Sequence, residues 1–378
     1  MPADTTIQYF SSTYTQAREK FLSAAQSADV ELVAFENPVR GAEGERLFTD
    51  VALLGAASAP SVLVLCSGTH GVEGFCGSGI QTGLLRDGIT DHLPDDIRIV
   101  MIHALNPYGF SHVRRVNEDN VDLNRNFIDH NGAHPQNRAY DALYEAINPR
   151  ADSRLRRELA FLRLFLERAI KGKRTLKMAI TEGQYTHPTG LFFGGTSETW
   201  SNRTLRTISD RFLAAAKRVA FVDIHTGLGP FGHGELICRF PPESAAYKRM
   251  AAWWGERVIP ADDSKSASNS LTGTTTISVS AMLPESEVTS VTLEFGTVGP
   301  ISVLRAMQAE NWLYRHGGVS EAKANLIKSR MHQVYYPDTD EWKRRVWEQG
   351  QLITGRAIEG LANEGSQAQS MQMAGDAS

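Results

Sequence analysis

Cysteine is nearly absent from this chain. Cys66, Cys76 and Cys238 are too few and too scattered for a disulfide framework, and a reduced cytoplasm is the expected compartment. Long apolar runs are missing as well. None approaches the roughly 18 residues of a membrane span, so no membrane partner is expected. Residues 1–6 lack the basic start and apolar core of a signal peptide. Asn202-Arg203-Thr204, which fits a glycosylation sequon, is therefore read as chance. Positive charge is not in excess: 39 Lys and Arg stand against 43 Asp and Glu, a formal net charge of -4, which argues against nucleic acid as a partner. Ser78 has Gly77 and Gly79 beside it, but not at the spacing of a nucleophile elbow. There is no Walker loop, no His-Glu-x-x-His helix, no internal repeat and no evident linker.

What remains is an α/β pattern. With 42% hydrophobic residues over 378 positions the chain can build a sizeable core. The spacing predicts helices over 13–27 (capped by Ser11 or Ser12), 75–86, 150–174, 198–217, 301–315 and 340–361. Strands are predicted over 32–35, 47–54, 61–66, 97–102, 219–225 and 288–295, with an edge strand over 235–240. Residues 106–127, 181–196 and 261–276 read as loops. The basic face of 150–174, interrupted by Glu158 and Glu167, reads as a solvated helix face. The expected fold is one three-layer α/β/α domain over 1–362 with a central mixed, mostly parallel, twisted sheet. A tail without structure is expected over 363–378.

Chemistry-bearing side chains recur at three strand ends. His70 and Glu73 lie in the Gly-rich turn after 61–66, His225 ends 219–225, and Glu294 lies near the end of 288–295. Open α/β sheets bind ligands at that edge. Two His and one Glu make a three-ligand zinc set with a position left for water, and Glu294 is then free to act as general base. A lone histidine is more often a surface or core residue, and Glu294 alone could be a cap or salt-bridge carboxylate. The loop 114–127, rich in Arg and Asn, suits either a carboxylate-binding site or a surface loop of satisfied turns; spacing leaves both open. Cys66 lies inside an apolar strand and reads as an inert thiol.

The combination of His70-x-x-Glu73, Asn106-Pro107-Tyr108-Gly109-Phe110, Arg115, Val121-Asp122-Leu123-Asn124-Arg125-Asn126-Phe127, Asp223-Ile224-His225 and Leu293-Glu294-Phe295-Gly296 resembles the zinc carboxypeptidase superfamily over roughly 61–299. In overall character the chain is similar to a less characterised bacterial branch, close to the succinylglutamate desuccinylase and aspartoacylase deacylases. The resemblance implies one zinc ion per chain, held by His70, Glu73 and His225. It implies Glu294 as base and later proton donor, Arg115 as oxyanion stabiliser, Asn124 and Arg125 on the substrate carboxylate, and Asp122 orienting His70. Arg114 rivals Arg115, and the Arg-x-Asn context favours Arg115. The implied substrate is a small molecule or short peptide with a free carboxylate, cleaved at an adjacent amide. A non-catalytic zinc and carboxylate-binding module and a zinc esterase are the alternatives, and a homo-oligomer stays open. One departure is plain: residues 261–290 contain no tyrosine where peptidases of this group carry one. Tyr185, Tyr247 or another group could stand in, or the role could be absent. His187, in the 181–196 loop, reads as a pocket contact or a structural residue.

Overall fold

The computed structural model describes residues 5–150, 154–261, 263, 266 and 271–376. In chain order the elements are α1 (Tyr14–Ser27), β1 (Glu31–Arg40), β2 (Arg46–Leu54), β3 (Ser61–Ser67), α2 (Gly74–Arg86), β4 (Ile97–His103), α3 (Pro107–Ser111), α4 (Arg138–Ile147), α5 (Arg154–Lys171), α6 (Lys173–Thr181) and α7 (Trp200–Phe212). They continue with β5 (Arg218–Phe231), β6 (Gly234–Cys238), α8 (Ala245–Trp254), β7 (Val258–Pro260), α9 (Thr275–Met282), β8 (Glu287–Gly296), α10 (Pro300–His316), α11 (Glu321–Tyr335) and α12 (Asp340–Asp376).

The eight strands of the described residues join one sheet in the order β1-β2-β4-β3-β5-β8-β6-β7. The centre, β4-β3-β5-β8, is parallel, and β1, β2 and β6 add antiparallel pairs. The expected mixed, mostly parallel sheet is what the chain builds. Its central strands are apolar on both faces because helices cover both. Along β3, Leu63 and Leu65 join one core with residues of α1, α2, α8 and α12, while Val62, Val64 and Cys66 join a second core with residues of α7 and α9. The strand period of two sorts the run into these two cores. A third cluster, drawn from α4, α6, α10 and α11, also takes in Val72 of the turn after β3. β3 has β4 on one side and β5 on the other, so the chain order reverses about it, and the crevice at its carboxyl end lies at that switch.

Several local expectations are corrected. Thr13, not Ser11 or Ser12, caps α1, accepting from Gln16 N–H. The strand expected at the edge, β6, is interior to it, because the short β7 pairs outside it. β5 runs past His225 to Phe231. The 106–127 loop contains α3 and a 3-10 turn, Leu123–Arg125. The helix expected over 150–174 is divided at Gly172, whose φ of +86° breaks the α-helical path. The apolar residues Leu155, Leu159, Leu162, Phe165, Leu166 and Ile170 of α5 are all exposed, and Leu164 is the one buried. Residues 262, 264, 265 and 267–270 of the 261–276 loop lie outside the described residues, and the loop runs into α9 at Thr275. α12 continues past Leu361 through Asp376, so the tail expected to lack structure is helical that far. Among the described residues no helix is long and apolar enough to cross a membrane.

Candidate metal centre

The turn after β3 is fixed by close backbone packing. A Cβ on Gly71 would stand 2.0 Å from the carbonyl carbon of Gly109, so only glycine fits there. Gly71 and Val72 donate their N–H groups to Arg115 O and Arg114 O. That pairing ties the His70–Glu73 turn to the loop carrying Arg115, and a 3-10 turn over Gly71–Glu73 brings Glu73 back toward His70.

His70, Glu73 and His225 converge, with ligand atoms within 4.8 Å of one another and all three side chains buried. The Nδ1 atoms face the carboxylate: His70 Nδ1 is 2.9 Å from Glu73 Oε1, and His225 Nδ1 is 2.8 Å from Oε2. Each ring's far nitrogen meets another carboxylate, His70 Nε2 on Asp122 Oδ1 at 3.1 Å and His225 Nε2 on Asp223 Oδ2 at 2.8 Å. Metal-bound histidines are held in this way, which fixes the tautomer and ring orientation. Two imidazole nitrogens and a carboxylate, each ring backed by an acid, fit the donor set of a catalytic zinc site. Asp223 is an acid two residues before His225 on the same strand face, a spacing that the sequence itself shows.

Charge and burial oppose each other here. Burial pushes Glu73 upward, but His70 and His225 outweigh it and hold the carboxyl well below its ordinary range. Asp122 is likewise held down against burial by Arg115, Arg125 and His70. Burial lowers His225, and Asp223 overcomes it, raising the imidazole to about 10. Glu294 sits beside His225 in the parallel β5–β8 register. Its Oε1 accepts from Leu228 N–H at 3.0 Å, and burial followed by the charge of Glu73 pushes it up to about 6.

The two candidate arginines separate. Arg115 enters the centre, with Nη1 2.9 Å from Glu73 Oε1, Nη2 2.7 Å from His70 Nε2 and Nε 3.2 Å from Asp122 Oδ2. Arg114 turns away and pairs with Glu310 at 2.8 Å and with Asn120 Oδ1 at 3.0 Å. Asn124 lies behind His225, its Nδ2 3.4 Å from His225 Nε2, while its Oδ1 accepts from Thr275 N–H. Arg125 is buried and donates to Thr181 O and Asn124 O.

Neither tyrosine considered from sequence reaches the centre. Tyr185 donates to Arg125 O at 2.6 Å, and Tyr247 packs on α8 against the first core. Among the described residues, Tyr335 at the end of α11 is placed there: it is 2% exposed and lies close enough to Arg115 and Glu73 to interact with both. Its distance in sequence from every motif hid it. Arg239, just past β6, was also missed. Burial and then Arg125 draw it down to about 10, and Glu294 and Asp223 lie near enough to oppose that. His187 is structural, pairing with Asp141 at 2.9 Å and stacking on Tyr144. Cys66 is buried, and burial raises its thiol well above the ordinary value, in keeping with an inert role. A separate cavity of about 800 Å³, bordered by Phe127, His130, Arg203, Arg206 and Met282, includes none of the converging group.

The fold and this group define the class: an α/β protein with a buried His-Glu-His cluster suited to a metal at the carboxyl edge of its sheet. Residues 10–349 match the family described as "Protein of unknown function (DUF2817)", and the chain belongs to that family. No curated protein matches it. Similar solved structures include carboxypeptidase A from Helicoverpa armigera, at 15% identity over 86% of this chain and 74% of that one, TM-score 0.43. They include the bovine thrombin-activatable fibrinolysis inhibitor in complex with tick carboxypeptidase inhibitor, at 11% identity over 88% and 99%, TM-score 0.45. A third is succinylglutamate desuccinylase from Chromobacterium violaceum, at 16% identity over 85% and 74%, TM-score 0.37. With TM-scores below 0.5, none of these carries the functional reading, which rests on the site itself.

Proposed function

We propose that the chain is a zinc-dependent hydrolase that cleaves an amide bond next to a free carboxylate in a peptide or N-acyl amino acid. The observation that carries this reading is the convergence of His70, Glu73 and His225 with Glu294 in register beside His225. His70, Glu73 and His225 would hold a zinc ion, which would supply Lewis acidity and a water of lowered pKa. Glu294 takes a proton from the attacking water and returns it to the leaving nitrogen. Arg115 presents its guanidinium to the oxyanion, where a fixed donor in a water-poor site is worth most. Asp122 and Asp223 hold the two imidazoles in place. Arg125 and Asn124 hold the substrate carboxylate. A guanidinium has five N–H donors, and the two carbonyls that Arg125 meets leave some of them for a ligand.

The test is a panel of N-acyl amino acids and short peptides, incubated with zinc-loaded protein and followed by mass spectrometry. Release of an amino acid from one class, lost in Glu294→Gln with zinc retained, supports the reading. Equal hydrolysis by Glu294→Gln would sink the mechanism. Faster turnover of matched esters than of amides would move the assignment to an esterase.

A further inference from the structure

The centre contains a reactive side chain that the hydrolytic scheme above does not use. Tyr335 is the last residue of α11. Its hydroxyl lies close enough to Arg115 to interact with it, and the charges of Glu73 and Glu294 both act on it. A guanidinium only donates, so toward Arg115 the phenol oxygen is the acceptor and keeps its own hydrogen to give.

Its position is built by the strands that carry the ligand and the base. A helix C-terminus leaves its last carbonyls without partners. On α11, Thr226 Oγ1 donates to Tyr335 O at 2.6 Å, and Thr297 Oγ1 lies 2.5 Å from Val334 O. Thr226 directly follows His225 on β5, and Thr297 directly follows β8, the strand of Glu294. Gly227 clears the intervening space: a Cβ there would stand 3.2 Å from Tyr335 Cε1 and 3.4 Å from Glu294 Oε1. Phenol and base therefore border one volume, with Arg115 beside them.

We propose that Tyr335 is a catalytic residue of this centre, donating its O–H to the tetrahedral oxyanion so that Arg115 and Tyr335 form a two-donor oxyanion site. This rests on the hydrolase reading. The proton stays on the phenol throughout and no covalent bond forms to it.

Tyr335→Phe keeps the ring and removes the donor. Expected are unchanged zinc content and thermal midpoint, KM little altered, and kcat lowered about 10²-fold on the substrate that the panel identifies. An unchanged kcat overturns the proposal. A second measurement needs no turnover. Calorimetry on zinc-loaded protein compares an N-phosphonyl amino acid, a tetrahedral anion, with the corresponding carboxylate product. The variant should lose about tenfold or more in affinity for the phosphonate and none for the carboxylate. Equal loss on both, no loss on either, or no phosphonate binding by the wild type overturns it. If the wild type binds the phosphonate but hydrolyses nothing, the hydrolase reading fails, and the variant's binding still decides whether Tyr335 meets a tetrahedral anion.

Discussion

His225 and Asp223 stand two residues apart on one face of β5, and Nε2 of the histidine meets Oδ2 of the aspartate at 2.8 Å. The aspartate is itself fully buried and held by Thr69 Oγ1 at 2.7 Å and Thr275 Oγ1 at 2.5 Å. His70 is backed by Asp122 in the same manner. The ligand set is thus oriented from behind by two acids from different parts of the chain. Asp223→Asn should weaken zinc binding about 10- to 100-fold, read by competition against a chromophoric chelator. Unchanged affinity would mean that the acid orients nothing.

Arg114 and Arg115 are neighbours with different work. Arg115→Met should abolish turnover of the zinc-loaded protein. Arg114→Met removes one partner of the buried Glu310, which retains Lys328 at 2.8 Å. It should cost about 3 kcal/mol of stability and leave kcat of the folded protein near the wild type. Thermal unfolding and kinetics on the two variants check the split, and a reversed pattern would exchange the roles.

Gly227 has a φ of +146°, a conformation that strains any residue with a Cβ. Gly227→Ala should lower stability by about 1–3 kcal/mol. It should also reduce kcat, because the methyl group enters the space shared by Tyr335 and Glu294. A variant destabilised but fully active would show that this space is not used.

His103 is buried against Phe21, 2.9 Å from Ser78 Oγ, and burial draws its pKa down to about 3. The unfolded chain takes up a proton near 6.5, the folded chain only near 3. The contribution to stability is therefore fully present above 6.5. It is lost as pH falls from 6.5 toward 3, by up to about 1.4 kcal/mol per pH unit for one proton. Calorimetric melts of chelator-treated protein should show this slope, reduced in His103→Asn. An identical slope in the variant would assign it to other groups.

Much of the site was legible because its signals are local. His70 and Glu73 share one turn, His225 and Glu294 lie on strands whose apolar runs are plain, and the Val121–Phe127 run is specific. Asp223 could have been found from its spacing to His225. The apolar residues of α5 mark the opposite case. Their helical spacing makes a core face plausible, yet six of them are exposed; periodicity shows that a helix has an apolar side but not which side its neighbours cover.

By itself the sequence determined the alternation of strands and helices, the mixed sheet and the residue types of a group that could hold a metal, because strand period, turn glycines and ligand chemistry act over a few positions. Only the tertiary structure decided which arginine enters the centre, that Asp223 backs His225, and that a tyrosine from α11 stands beside Arg115. Those outcomes depend on groups distant in sequence meeting within hydrogen-bond range. That meeting is set by sheet order and by how the last carbonyls of α11 find Thr226 and Thr297, and no short-range pattern encodes it.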